Sequence, residues 1–153
     1  MNSVNLCQRS LEKQLAIIVD LDETLCAQFD VPVQAGVGVL RRVDQTKLQV
    51  HYVTARTTAC REATERFIAA HRLPGGQNVH FCPTWISSLE HKRRQHELLS
   101  REFKVIASIG DSSEEEQAAA AMGILFVKVD ACKPADGWAT LAERIAEFAG
   151  FKS

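Results

Sequence analysis

No C-x-x-C pair occurs among the five cysteines, which are odd in number and scattered at positions 7, 26, 60, 82 and 132. That absence excludes the spacing of a zinc site or a thioredoxin-type redox pair, and reduced thiols in a cytosolic protein are the simple expectation. No apolar run approaches membrane-spanning length, and no basic segment followed by an apolar one opens the chain. A soluble cytoplasmic protein without a membrane partner is therefore expected. Net charge is nearly absent as well, at -1, so any surface for nucleic acid or lipid must be local. Internal repeats, low-complexity stretches and linkers are also missing. What remains is a chain of 153 residues, 46% hydrophobic and 24% charged. That is enough to bury one core, and residues 1–153 are expected to form one domain.

Apolar runs alternate with helix-period segments from end to end. Strands are expected at 15–19, 48–53, 79–81, 104–109 and 124–129. Between them, 57–71 carries Ala59, Ala63, Phe67 and Ala70 on one helical stripe. Ser87-Ser88-Leu89-Glu90 reads as a capping box opening a helix that runs to about Glu102. Ser112 or Ser113 caps a segment whose first turn is Glu114-Glu115-Glu116 and which stops at Gly123, acids in front and glycine behind. Asp136 precedes a last helix with Trp138, Leu141, Ile145 and Phe148 in register, and 33–43 is read as a helix despite Gly36 and Gly38. Strands alternating with helices predict an α/β, three-layer Rossmann-like domain around a mostly parallel five-stranded sheet. Ligands of such folds sit beyond the carboxyl ends of the strands.

Polar groups collect at those ends. Ile17-Ile18-Val19 runs straight into Asp20-Leu21-Asp22-Glu23-Thr24, Thr54 with Arg56 follows the second strand, and Gly110-Asp111 follows the fourth. Lys92 lies near the start of the helix capped by Ser87. Each residue has a plain alternative. Asp20 and Asp22 suit an acidic turn, Thr54 a strand end, Lys92 a solvated helix face, and Asp111 an N-cap. The alternatives leave unexplained why all of them fall on one edge. Two carboxylates so close repel, and a divalent cation is the simplest partner.

With these motifs the chain resembles phosphatases of the haloacid dehalogenase-like superfamily over 15–129, with Asp20 to Thr24, Thr54, Lys92 and Gly110-Asp111 at the matching motifs. The second acid of the last motif is usually Asp in that family. Here Glu114, Glu115 or Glu116 takes the place, with Glu115 the expected metal ligand, although helix-dipole compensation would also explain all three. The residue types suit the chemistry. Asp20 attacks phosphorus, and Asp22 protonates the leaving oxygen and then activates water. Mg²⁺ between Asp20 and Asp111 offsets the charge, while Thr54 and Lys92 take the phosphoryl oxygens. The resemblance also implies that Asp22 ligates the metal through its backbone carbonyl.

The stretches from Asp22 to Thr54 and from Thr54 to Lys92 are filled by core elements, leaving no substantial cap. An open site suits a large phosphorylated substrate such as a nucleic-acid end or a phosphoprotein, or a second subunit closes it. Arg56, with Thr64 in the next helix, resembles the arrangement in polynucleotide 3'-phosphatases, where an Arg could grip a phosphate bidentately. A surface pair with Glu62 or Glu65 is the plain alternative. His91-Lys92-Arg93-Arg94 and His96 suggest a local basic patch for an anionic polymer, or simply a solvated face. A phosphorylatable receiver module would carry its acceptor aspartate on a later strand, where this chain has Thr54. A catalytically weak phosphate- or protein-binding relative, or a phosphatase for proteins or small metabolites, stays open beside the nucleic-acid reading.

Overall fold

Leu15–Val19 is buried from Ala16 onward, which requires a strand covered on both faces. The computed structural model describes residues 12–153, so Cys7 and the reading of the opening segment lie outside the described residues. In chain order the elements are β1 (Leu15–Val19), the hairpin strands β2 (Cys26–Ala27) and β3 (Val31–Pro32), α1 (Gln34–Arg41) and β4 (Leu48–Val53). A 3-10 turn (Thr58–Cys60) then runs into α2 (Arg61–Ala70), followed by β5 (Val79–His80), α3 (Ser88–Glu102) and β6 (Lys104–Gly110). The chain closes with α4 (Ser113–Ala121), β7 (Phe126–Lys128) and α5 (Pro134–Glu147).

The five-stranded sheet has the order β5-β4-β1-β6-β7 with all pairs parallel. The chain therefore leaves β1 toward one edge, returns, and builds the other half from β6, which puts the topological switch point between β1 and β6. Ile17 and Val19 face the larger core with Val37, Leu40, Phe67, Ile68, Trp138, Leu141 and Ile145, from α1, α2 and α5. Ala16 and Ile18 face the smaller one, with Leu99 and Phe103. The fold is thus three-layered α/β, and its connections carry no inserted domain among the described residues. No helix among them is long and apolar enough to cross a membrane.

Several boundaries differ from expectation for visible reasons. The strand expected at 79–81 stops at His80, and that at 124–129 keeps only Phe126–Lys128. The helix expected at 57–71 begins as a 3-10 turn, whose tighter winding rotates the stripe. Thr64, Phe67 and Ile68 become its buried face, while Ala59 and Ala70 are exposed. Ser87 caps α3 through Glu90 N (3.1 Å), but the Glu90 carboxylate turns to Arg94 instead of closing a box. The complete box is at α4, where Ser112 is the cap and Glu115 its reciprocal partner. The β2–β3 hairpin was not expected. Its tip uses Gln28 (φ 49°) and Phe29 (φ 75°) in left-handed geometry without a glycine.

Gly36 explains why α1 tolerates a poor helix former. A Cβ there would lie 2.5 Å from the indole of Trp138, which is fully buried and donates from Nε1 to Thr24 O at 3.0 Å. The two glycines of α1 should therefore respond oppositely to alanine. Gly36→Ala is expected to lower stability by about 1–3 kcal/mol through overpacking. Gly38→Ala, with nothing within 4 Å, should raise it by about 0.5–1 kcal/mol through helix propensity. Urea denaturation of both variants checks this, and equal shifts would contradict the packing argument.

Candidate active site

Parallel register sets the site. Val19 lies beside Tyr52 on one flank and Ile109 on the other, so the next residue of each strand reaches the same edge. Asp20 is fixed there by its backbone, which donates to Ile109 O at 3.0 Å, and by Thr24 Oγ1, which donates to its Oδ2 at 3.1 Å. Leu21 O then accepts from the amides of Thr24, Leu25 and Cys26, folding the chain back so that Asp22 stands at the rim. Asp20 is 4% exposed, whereas the Asp22 side chain is 42% exposed. One aspartate is walled in and the other meets solvent.

Asp111 and Glu115 join Asp20 from the far side of the switch point. One carboxylate oxygen from each of the three lies within 4.8 Å of the others. Glu115 is buried, and its stem fills the space that a side chain at Gly110 would take, with a Cβ there only 2.7 Å from Glu115 Cγ. Glu115 Oε2 accepts from Ser112 N at 3.0 Å and from Ser112 Oγ. The other oxygen, Oε1, is buried and has no hydrogen bond beyond its ion pair with the Lys92 ammonium. Of its neighbours in the acidic triplet, Glu114 accepts from Ser88 Oγ and Glu116 is exposed.

Lys92 enters this cluster from α3 and is itself buried, its Nζ 3.7 Å from Asp20 Oδ1 and against Glu115. Its backbone is pinned by His96, which bonds Lys92 O (2.7 Å) through Nδ1 and Ser108 Oγ (2.9 Å) through Nε2. Burial pushes the His96 pKa down to about 4, so the ring is neutral. His91 is buried as well and bonds His80 O at 3.0 Å. The basic patch expected from His91, Lys92 and His96 is therefore not a surface feature; only Arg93 and Arg94 face solvent, and Arg94 pairs with Glu90. Helical spacing turned three of the five residues inward.

Thr54 and Arg56 complete the edge. Thr54 is fully buried, and its Oγ1 accepts from Arg56 N at 3.0 Å, which leaves the hydroxyl proton free to donate. Arg56 is buried too and sits at the centre of a small network. Its Nε and one terminal nitrogen donate to both oxygens of Asp22 (3.0 and 2.8 Å), the other terminal nitrogen donates to Thr64 Oγ1 (3.0 Å), and its guanidinium stacks 4.0 Å from the Phe29 ring centroid. Burial, the largest single effect, opposes the Arg56 charge, but the Asp22 carboxylate together with Cys26 and Cys60 holds its pKa above the ordinary value. Glu62 and Glu65, the surface partners considered for Arg56, pair instead with Arg66 and Arg61. Cys26, Cys60, Cys82 and Cys132 are free thiols, and burial pushes Cys26, beside Arg56, up to about 12. It is an inert neighbour of the site.

Three carboxylates against one ammonium leave the cluster short of positive charge. Burial is the largest effect on Asp20, opposed by Lys92 and reinforced by Asp111, and together these push its pKa up to about 7. The donor set is all carboxylate oxygen, which suits a hard divalent cation, and Glu115 Oε1 is a buried acceptor for one.

No protein-family profile matches the chain, and no curated protein matches it by sequence. Solved structures do share its fold. A chain of the Pnkp1/Rnl/Hen1 RNA repair complex superposes with a TM-score of 0.61 at 20% identity, over 76% of this chain and 42% of that one. The class C acid phosphatase from Bacillus anthracis superposes with a TM-score of 0.61 at 15% identity, over 96% of this chain and 83% of that one. Its tungstate-bound form gives 0.60 at 14% identity, over 99% and 85%. The chain thus spans less than half the length of the repair-complex protein and most of the acid phosphatase. What these structures share with the chain is its fold.

The raised pKa of Asp20 has a defined sign. Between 3.8 and about 7 the native state holds a proton that the unfolded state has lost, so this group lowers stability as pH rises through that window. With metal removed by chelator, wild type should lose stability relative to Asp20→Asn between pH 4 and 7 and then run parallel to it. Urea midpoints across the range measure this. A constant difference would contradict the crowding of Asp20.

Proposed function

We propose that this chain is a Mg²⁺-dependent phosphomonoesterase working through an aspartyl-phosphate on Asp20, with nucleic-acid or nucleotide phosphate ends as its substrates. The observation that carries the reading is the pairing of a buried, cation-flanked Asp20 with a second, rim-exposed Asp22 whose carboxylate is clamped by Arg56. The acid phosphatase and RNA repair complex among the fold neighbours support the class and the substrate in turn.

Asp20, Asp111 and Glu115, with the Asp22 backbone carbonyl, would hold the Mg²⁺. When bound, the ion supplies charge neutralisation that lets an anionic ester approach a carboxylate. Asp20 attacks phosphorus as the ester P–O bond breaks, and Asp22, which enters the cycle protonated from solvent on one oxygen while Arg56 holds the other, gives that proton to the leaving oxygen. Asp22, now a carboxylate, takes a proton from water, whose oxygen attacks phosphorus and releases inorganic phosphate and free Asp20. Thr54 donates its free hydroxyl proton to a phosphoryl oxygen, and Lys92 balances the spreading charge. Arg56 acts as a positioning residue in this scheme. Its donors already hold Asp22, Thr64 and the hairpin tip, so it orients the acid-base carboxylate rather than gripping the substrate.

Asp20→Asn should lower turnover of a generic aryl phosphate by on the order of 10³-fold or more, and chelator should abolish it. Activity retained in Asp20→Asn would end the reading. Asp22→Asn should reduce kcat by roughly 10²–10⁴-fold. Arg56→Lys should lower kcat with little change in KM, and the double variant should be no worse than Asp22→Asn alone. Multiplying effects, or a large rise in KM, would return Arg56 to substrate binding.

A further inference from the structure

The chain keeps one of its two tryptophans in solvent, at the carboxyl edge of the sheet. Trp85 is 81% exposed, while Trp138 is fully buried. It stands in the loop after β5, on the same sheet edge as Asp20 and Thr54. That loop is tied to the site by its backbone: Cys82 N donates to Arg56 O at 2.8 Å, and Thr54 N donates to His80 O at 3.3 Å. The Lys92 charge also acts on the Cys82 thiol. Three residues further, the Trp85 Cα lies within about 11 Å of that anchor.

Trp85 forms one wall of a cleft of about 230 Å³ with Thr58, Phe81, Cys82, Pro83 and Thr84. No acidic side chain lines it, in contrast to the carboxylate cluster at Asp20. The Arg61 guanidinium, paired with Glu65 at 3.5 Å, lies 4.8 Å from the Phe81 ring centroid and holds that ring in place. Pro83 stiffens the loop, and Ser87 ends it in the cap of α3. A flat apolar face with two hydroxyls, on a loop bonded to the backbone of Arg56, matches a planar, hydrogen-bonding ring. An aliphatic leaving group would leave the indole in water.

We propose that Trp85, backed by Phe81 and Arg61, stacks the terminal base of a single-stranded oligonucleotide whose end phosphate enters at Asp20. The proposal rests on the phosphatase reading above for its register and adds the part of the substrate that is recognised. Stacking of one base on an exposed aromatic is a strong, sequence-tolerant contribution, so preference for oligonucleotides over simple esters would originate in this loop.

The test uses trinucleotides carrying a terminal phosphate and a fluorescent label at the other end, bound to the Asp20→Asn protein and read by anisotropy. Adding Trp85→Ala should weaken binding about tenfold, and Trp85→Phe should restore most of it. A trinucleotide lacking the base next to its phosphate should bind about tenfold more weakly, and Trp85→Ala should then make no further difference. In turnover, Trp85→Ala should reduce the ratio of kcat/KM for the oligonucleotide to that for glycerol phosphate by about the same factor. Unchanged affinity in Trp85→Ala, or an equal loss with and without the base, overturns the stacking wall. Absence of turnover on every monoester, glycerol phosphate included, would instead overturn the phosphatase reading, and the anisotropy series would still decide the role of Trp85.

Discussion

Three carboxylates crowd the switch point of the sheet, and a single buried ammonium stands among them. Most of the local structure serves to hold that arrangement. Hydrogen bonding at the end of β1 places Asp20, the glycine at 110 makes room for the Glu115 stem, and the Ser112 box fixes its head. His96, kept neutral by burial, ties the backbone at Lys92 to Ser108 on β6. A cluster so short of positive charge is unfavourable for an isolated fold. The all-oxygen donor set is one that a divalent cation would relieve.

Arg56 is the second organising element. Its guanidinium links the turn after β4, the helix α2 through Thr64, the hairpin tip at Phe29 and the carboxylate of Asp22. The left-handed residues Gln28 and Phe29 are costly geometry for side chains larger than glycine. Stacking of Phe29 on Arg56 helps hold them. The hairpin thus forms part of the support for Asp22 at the rim.

The strands and the placement of Asp20, Thr54, Lys92 and Asp111 on one edge were legible because buried parallel strands read as continuous apolar runs and because polar residues follow each run directly. Glu115 was the expected ligand of the acidic triplet by the motif resemblance alone, since all three positions suit a helix start, and the fold adds that of the three only Glu115 is buried. The hairpin was hidden because its tip lacks the Asn-Gly or Asp-Gly signal that marks such turns. The basic patch was misread because His91, Lys92 and His96 occupy the buried side of α3. The clamp on Asp22 joins residues 34 positions apart, a contact that no local pattern announces.

The central claim is that Asp20 carries the phosphoryl group during turnover. Rapid quenching of the enzyme with a phosphate monoester, reduction of the trapped species with borohydride and peptide mass spectrometry would locate it. The account predicts conversion of the residue at position 20 to homoserine, dependent on substrate. Turnover with the label on another residue, or with no covalent species at any quench time, would contradict it.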